Sequence, residues 1–419
     1  PDSIVLSAEK LGSTKLLRLV AGRASSRYVL LWLGRGKLRL GYRCVERMIQ
    51  AAEDSGAVMV YSDYYDRLPA EEGNSVLRLH PVLDYQEGSL RDDFDFGNLW
   101  LVRTDTLQHF FQGDKVPRLR FAAFYALRLF LSREGRFLHL PEALYEEDVT
   151  DMRRSGERQF DYVDPANREV QLECERVCTE HLHRIGAYLA PDEWEDLPND
   201  TTAYPVEASV VIPVRNRVCT VADAVRSVLS QEADFSFNVI VVDNHSTDGT
   251  AECIRNLAVE DSRVVLLQPT RTDLGIGGCW DMAVRCEHCG RYAVQLDSDD
   301  LYSDATVLTR IVEAFHKQKA AMVIGAYRMV DFNLQTLPPG LIAHKEWTTE
   351  NGRNNALRIN GLGAPRAFRT DLLRRIGFPN TSYGEDYALG LAFSRHYRIG
   401  RIFDELYLCR RWEGNSDAA

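Results

Sequence analysis

The chain from residue 208 onward alternates short apolar runs with segments of helical periodicity. The apolar runs are 209–214, 238–243, 264–267 and 292–297, and the helical patterns between them are 221–229, 250–257 and 280–286. Buried strands joined through helices favour a parallel, doubly wound sheet, because a parallel crossover has room for a helix. We therefore predict an α/β fold for this part of the chain.

Carboxylates follow two of the predicted strands. Asp243 closes one run, and Asp297, Asp299 and Asp300 stand at the end of another. Ligands of open α/β sheets bind at the carboxyl edge, so these acids are expected to share one crevice. Grouped carboxylates repel one another unless a cation lies between them, and Mg²⁺ or Mn²⁺ with oxygen ligands suits that position. A polar loop after a buried strand is the simpler interpretation of an isolated Asp-x-Asp.

Composition narrows the classes of protein. A net charge of −11 argues against broad nucleic-acid binding, and no apolar run approaches the ~20 residues that span a bilayer. Nine cysteines in 419 residues fit reduced thiols in a cytoplasm. Cys286 and Cys289 beside His288 lack a fourth zinc ligand nearby. We expect a cytoplasmic protein without a membrane-spanning helix, with peripheral contact at the inner face of the membrane left open.

The segment 208–419 resembles the family 2 glycosyltransferases of the GT-A fold. The resemblance rests on five pieces in the expected order, at 210–216, 241–250, 297–300, 383–386 and 410–412. It implies an inverting transfer of a sugar from a UDP- or GDP-linked nucleotide sugar to a hydroxyl of a glycan or lipid-linked acceptor. Bacterial surface polysaccharide synthesis is the setting that it suggests.

The same resemblance assigns site residues by position. It implies that the donor is bound by Pro213, Arg215, Asp243, Asp297 and Asp299. Of these, Asp299 and Asp297 would hold the metal, with Asp299 the favoured direct ligand.

On the acceptor side, the resemblance implies that Asp386 is the catalytic base and that Glu385 stands beside it. Inversion by a single displacement needs one base and no protein nucleophile, which agrees with this assignment. Arg410 and Arg411 offer positive charge to the leaving diphosphate, although a solvated surface pair is the alternative. Leu408 replaces the glutamine of the QxxRW motif, which argues against a processive membrane polymerase.

The first 150 residues repeat parts of this pattern at a nearly constant offset. Residues 27–36 align with 291–300, Met59-Val60 with Met322-Val323, and 125–127 with 387–389. The acids are absent from this copy, whose residues at the matching positions are Leu33, Gly34, Arg35, Ala123 and Phe124. We predict a truncated, degenerate, non-catalytic GT-A-like domain at 1–150, a helical linker at 151–207 and the catalytic domain at 208–419.

Two other functions fit the same acids. A sugar nucleotidyltransferase uses a similar sheet and an acidic metal site, but it releases pyrophosphate instead of a nucleoside diphosphate. A non-catalytic sugar- or partner-binding protein would tolerate alanine at these acids without loss of function.

Overall fold

Two separate sheets organise the chain. The computed structural model describes residues 10–69, 75–112, 116–149, 167–359 and 361–412. These divide into a first unit, Pro1–Tyr188 with Leu357–Ile359, and a second unit, Leu189–Ala356 with 360–419. Part of the predicted linker, 151–166, lies outside the described residues. The helix predicted within it forms at Arg168–Arg184 and is counted in the first unit.

The first unit contains a six-stranded mixed sheet with the order β1-β5-β3-β6-β2, and β4 pairs with β3. Its elements are α1 Thr14–Arg23, β1 Tyr28–Trp32, β2 Leu38–Leu40, α2 Cys44–Ser55, β3 Met59–Pro69, β4 Ser75–His80, β5 Leu99–Arg103, α3 Thr104–His109, α4 Ala123–Glu134, β6 Phe137–Asp148 and α5 Arg168–Arg184.

The second unit contains a nine-stranded sheet with the order β11-β15-β12-β14-β10-β7-β8-β9, and β13 pairs with β12. Its elements are β7 Ala208–Val214, α6 Val221–Leu229, β8 Phe237–Asp243, α7 Thr250–Glu260, β9 Val264–Leu267, α8 Ile276–Arg285, β10 Tyr292–Gln295, β11 Leu301–Tyr302, α9 Val307–Gln318, β12 Met322–Val330, β13 Thr336–Ile342, α10 Gly352–Asn355, β14 Arg366–Arg369, α11 Thr370–Ile376, α12 Glu385–His396 and β15 Ile399–Arg410.

The strands β7, β8, β9 and β10 of the second unit pair in parallel, as predicted. All seven residues of β8 are buried, because helices cover both faces of the sheet. In β7, Val210 and Ile212 pack into one hydrophobic layer, while Val211 packs into the other. Beyond β10 the sheet is mixed, since β14 runs antiparallel to both of its neighbours.

The two sheets share one topology over five strands. The order β1-β5-β3-β6-β2 has its counterpart in β10-β14-β12-β15-β11, and α1, α2, α3 and α4 correspond in chain order to α8, α9, α11 and α12. The strand registers agree as well, since Tyr28 lies opposite Arg103 and Tyr292 lies opposite Arg369. The second unit adds β7, β8 and β9 beyond this shared arrangement.

None of the helices in the described ranges combines the length and the apolar character needed to cross a bilayer.

His80, at the end of β4 in the first unit, lies between two aspartates. The His80 imidazole lies 3.2 Å from Asp95 and 3.0 Å from Asp66, and its ring stacks on Tyr64. Asp95, and after it Asp66, outweigh partial burial and raise the pKa of His80 to about 9. The protonated ring therefore stabilises the folded unit.

His80→Gln should destabilise the protein more at pH 6 than at pH 10. The contribution of the imidazolium is complete below the unfolded pKa of about 6.5 and is lost as the pH rises through the folded value. Urea unfolding at both pH values measures the difference from wild type. His109→Gln, which breaks an exposed pair with Glu134, is the control and should change little. A His80→Gln effect independent of pH would contradict this assignment.

Candidate active site

The carboxyl ends of β7, β8 and β10 meet at one edge of the second sheet. Asp243 is the last residue of β8 and is buried. Its carboxylate accepts hydrogen bonds from the Ser246 backbone N–H at 3.3 Å and from the Gln268 side-chain amide at 3.1 Å. Because both oxygens are engaged, the carboxylate has a fixed orientation at this edge.

The loop after β7 is braced against the loop after β8. The Asn216 backbone N–H donates to the Ser246 hydroxyl, and the Thr247 N–H donates back to the Asn216 side chain, both at 2.8 Å. Two of the residues predicted to bind the nucleotide sugar lie here. Pro213 is half-buried within β7, and Arg215 is exposed just after the strand. The bracing gives this loop a defined shape beside Asp243.

Three carboxylates are concentrated at the end of β10. Asp299 and Asp300 are buried, and Asp297 is nearly so. Burial, together with the neighbouring Asp299, raises the pKa of Asp297 although Gln295 opposes the shift. Burial and both neighbouring carboxylates raise the pKa of Asp300 well above its usual range. Both shifts come first from burial and then from neighbouring carboxylates, and a bound cation would favour the ionised forms of these acids.

Residues of β15 and the segment after it hold this acidic loop. The Arg410 guanidinium is buried, its Nε donates to the Asp299 carbonyl, and its Nη1 lies 3.3 Å from Asp223. The Arg410 backbone N–H donates to Asp300 at 2.7 Å. Arg411 is half-buried, and its backbone N–H donates to the Val330 carbonyl. Arg410 therefore secures the loop through bonds within the protein.

Asp299 has two further neighbours that the sequence did not indicate. The Trp412 indole N–H donates to Asp299 Oδ2 at 3.1 Å, and Arg217 Nε lies 3.8 Å from the same oxygen. The Arg217 guanidinium also lies over the Trp412 ring, 5.7 Å from its centroid. These contacts fix the Asp299 carboxylate and supply partial positive charge beside it.

Glu385 and Asp386 open α12. Gly384 precedes them with a φ of 78°, a left-handed conformation that suits glycine, and acids in a first turn interact favourably with the helix dipole. Asp386 accepts the Tyr387 N–H at 2.7 Å and forms an ion pair with Arg366. Burial raises the pKa of Glu385, whose Oε2 has no hydrogen-bond partner among the described residues.

The glycines at the start of α8 set the approach of α12. A Cβ on Gly277 would lie 2.0 Å from the Pro379 carbonyl oxygen, and one on Gly275 would meet the backbone at Thr381. The Gly275 N–H also donates to the Asn380 side chain at 2.8 Å. Gly275 and Gly277 thus allow the segment leading to Asp386 to pack closely against the start of α8.

Gln295, which is buried, and Arg366, which is half-buried, connect the acids on the two sides of the site. Gln295 donates from Nε2 to Asp297 Oδ1 at 3.0 Å, and its Oε1 accepts from Arg366 Nη1 at 2.9 Å. Arg366 in turn pairs with Asp386. Sequence analysis did not single out either residue. Gln295 offered one signal, as a polar residue in an otherwise apolar strand, whereas Arg366 offered none.

The carboxyl groups at the end of β10 are suitable ligands for a hard divalent cation. Carboxylate oxygens are the ligands that Mn²⁺ and Mg²⁺ prefer, and Asp297, Asp299 and Asp300 place three carboxyl groups at this edge of the sheet. Within the described ranges, no three His, Cys, Asp or Glu side chains form a complete metal-binding group. A bound ion would therefore need further oxygen ligands from its substrate or from water.

Comparison with known proteins identifies the family of a domain within the second unit. Residues 209–377 match the family described as glycosyl transferase family 2. Taken with the α/β sheet and its acidic edge, this match indicates a family 2 glycosyltransferase domain of the GT-A fold within the second unit. The predicted family and fold class are confirmed for this part of the chain. No curated protein matches the sequence.

Several solved structures are similar to parts of the chain. The S. aureus TarS fragment 1–349 is 22% identical with a TM-score of 0.40, over 49% of this chain and 60% of TarS. The same fragment in complex with UDP-GlcNAc is 23% identical with a TM-score of 0.41, over 50% of this chain and 60% of the fragment. The mannosyltransferase PcManGT from Pyrobaculum calidifontis, in complex with GDP-Man and Mn²⁺, is 20% identical with a TM-score of 0.39, over 62% of this chain and 70% of PcManGT. The chain thus spans about three fifths of the TarS fragment.

Tyr407→Phe should destabilise the second unit and lower sugar transfer. The Tyr407 hydroxyl accepts the Asp297 N–H at 3.1 Å, so its removal leaves a buried donor unsatisfied at a cost of about 1–3 kcal/mol. Urea unfolding and an activity assay measure the two effects.

Tyr145→Phe is the matched control. In the first unit the Tyr145 hydroxyl accepts the Asn98 N–H at 2.9 Å, and Tyr145 lies opposite Tyr64 as Tyr407 lies opposite Tyr327. We expect a similar loss of stability with unchanged activity. Equal losses of activity in both variants would show that Tyr407 acts through stability alone.

Proposed function

We propose that the second unit is a metal-dependent inverting glycosyltransferase. It transfers a sugar from a UDP- or GDP-linked donor to a hydroxyl of a glycan or lipid-linked acceptor, in the synthesis of a bacterial surface polysaccharide. The observation that carries the proposal is the connection, through Gln295 and Arg366, of the buried acidic cluster to Asp386 at the start of α12. A donor-binding group and a base for the acceptor thus belong to one site.

In this proposal Asp297 and Asp299 would hold the Mn²⁺ or Mg²⁺ ion together with oxygens of the donor diphosphate. When bound, the ion supplies Lewis-acid stabilisation of the charge that develops on the leaving diphosphate. The protein binds the rest of the nucleotide through Asp243 and the loop that carries Pro213 and Arg215.

The two arginines after the acidic loop differ in their suitability for the diphosphate. Arg410 is buried, with Nε and Nη1 bound inside the protein, so its role is to hold the loop. Arg411 is half-buried and is the better candidate for a phosphate contact. A guanidinium suits that contact because it donates two parallel hydrogen bonds to phosphate oxygens.

Asp386 takes the proton in the transfer step. The acceptor hydroxyl oxygen forms a bond to the anomeric carbon while the bond from that carbon to the diphosphate oxygen breaks. The electron pair of the broken bond leaves with the nucleoside diphosphate, and the hydroxyl proton passes to Asp386. One positioned carboxylate is sufficient for this displacement. Glu385 is half-buried beside it, and burial raises the pKa of its carboxyl group.

The first unit is, in our proposal, a diverged counterpart without catalysis. Leu33 and Arg35 stand where the second unit has Asp297 and Asp299, and Phe124 stands in the position of Asp386. Apolar and basic side chains neither hold a cation nor act as a carboxylate base. The shared strand order and register support a common origin.

We place the reaction in the cytoplasm, with peripheral contact at the inner face of the membrane where a lipid-linked acceptor is presented. All nine cysteines are free thiols, and five of them are buried, which fits a reducing compartment.

Asp299→Ala should remove the Mn²⁺-dependent part of donor binding. A thermal-shift screen of UDP- and GDP-linked sugars, with and without Mn²⁺, tests the proposed function and finds the donor. A ligand at about 100 times its Kd adds about 2.7 kcal/mol of stability. In Asp299→Ala we expect the Mn²⁺-dependent shift to disappear.

Asp261→Ala is the control for this screen. Asp261 lies just before β9, at the amino ends of the parallel strands, and it pairs with Arg263. The variant therefore loses an acid that is remote from the carboxyl edge and its site. It should keep the wild-type response to donor and Mn²⁺. A wild-type protein that responds to no nucleotide sugar would refute the proposed donor.

Asp386→Asn should preserve donor binding and stop transfer. The amide keeps the shape of the carboxylate but cannot accept the proton, so kcat should fall by roughly 100- to 10,000-fold. The donor thermal shift of the same variant is the internal control. Full transfer activity in Asp386→Asn would exclude it as the base.

A further inference from the structure

Gln295 connects two groups of opposite hydrogen-bonding character. Its Nε2 donates to Asp297 Oδ1 at 3.0 Å. Its Oε1 accepts from Arg366 twice, from Nη1 at 2.9 Å and from the backbone N–H at 3.3 Å. The side chain is buried, so both ends of the amide are committed to these partners.

Arg366 is held from three sides. Its Nε donates to the Leu362 carbonyl at 2.5 Å, its Nη1 donates to Gln295, and its Nη2 pairs with Asp386. Only 13% of its side chain is exposed. A planar guanidinium fixed at Nε and Nη1 has no rotational freedom left, so its Nη2 defines where the Asp386 carboxylate lies.

The first unit shows the same positions without polar groups. Counted from the matching pairs Tyr28–Arg103 and Tyr292–Arg369, Gln295 corresponds to Leu31 and Arg366 to Trp100. The second residue of the twelve-residue helix is Phe124 in α4 and Asp386 in α12.

The Arg366–Asp386 ion pair is therefore replaced in the first unit by the edge-to-face aromatic pair Trp100–Phe124, with ring centroids 6.4 Å apart. An apolar set builds this strand-and-helix arrangement, so the fold does not require the polar one. The Arg366–Asp386 pair is partly buried, with side chains 13% and 31% exposed. Because taking charged groups out of water offsets much of the gain from pairing them, apolar packing is an equally good way to hold this arrangement, and the polar set in the second unit points to a role in function.

We propose that Arg366, anchored by Gln295, is a positioning residue for the transfer reaction. It fixes the Asp386 carboxylate at a set distance and angle from the donor-binding Asp297, so that the acceptor hydroxyl meets the anomeric carbon in line. This inference rests on the proposed function, and it assigns to Arg366 an effect on the transfer step rather than on donor binding.

Arg366→Gln tests the inference on the full chain. The donor is the nucleotide sugar that gives the largest Mn²⁺-dependent thermal shift, and the readout is release of nucleoside diphosphate with water as the acceptor. We expect kcat to fall on the order of 100-fold, the scale of a 1 Å misplacement, with the KM for the donor and its thermal shift unchanged. Guanidinium ion added to Arg366→Ala should restore part of kcat.

Arg369→Gln is the matched control. Arg369 lies three residues further along the same strand, is 14% exposed, and pairs with Asp371 at 2.7 Å. Its loss removes a buried ion pair of the same strand without touching the site, so kcat should stay at the wild-type value. A fall in kcat equal to that of Arg366→Gln would overturn the inference in favour of general destabilisation.

The double variant with Asp386→Asn separates positioning from a direct role. If Arg366 acts through Asp386, Arg366→Gln causes no further loss of kcat in the Asp386→Asn background. The same loss in both backgrounds, or a wild-type kcat in Arg366→Gln, overturns the inference while the proposed function stands. A wild-type protein without donor binding or turnover refutes both.

Discussion

The site depends on the parallel pairing of β7 with β8 and β10. This pairing brings the carboxyl ends of the three strands to one edge, so that Asp243 and Asp297 face the same region although they are far apart in sequence. The acids there are buried and repel one another, as the raised pKa values of Asp297 and Asp300 show. The fold maintains this unfavourable arrangement by anchoring the loop through Tyr407 and Arg410 on β15.

The chain contains its own comparison for the chemistry of this site. Both units place five strands in the same order, yet the first fills the positions of Gln295, Arg366 and Asp386 with apolar side chains. The aromatic pair Trp100–Phe124 packs where an ion pair lies in the second unit. Apolar side chains are therefore sufficient to pack this arrangement. Only the second unit places polar side chains there, which costs free energy through their desolvation.

Asp243 and Asp297 were predictable because each stands at the end of an apolar strand. Asp386 was assigned only through the resemblance to the family 2 glycosyltransferases. Arg366 has no such landmark, since its contact with Gln295 joins residues 71 positions apart. Trp412 belongs to the motif at 410–412, but its contact with Asp299, across 113 positions, has no local signal either. Local pattern identifies which groups stand at strand and helix ends, but not which of them touch.

The sequence by itself determined the α/β alternation, the positions of the acids and their absence from the first copy, because each follows from periodicity and residue type along a short segment. Tertiary structure alone decided that Arg410 turns inward to hold the Asp299 loop and that Gln295 and Arg366 join Asp297 to Asp386. The Gln295–Arg366 contact arises from the antiparallel placement of β14 beside β10, and the Arg410 contact arises from the placement of β15 beside β11 and β12. Both are pairings between distant segments that no local pattern specifies.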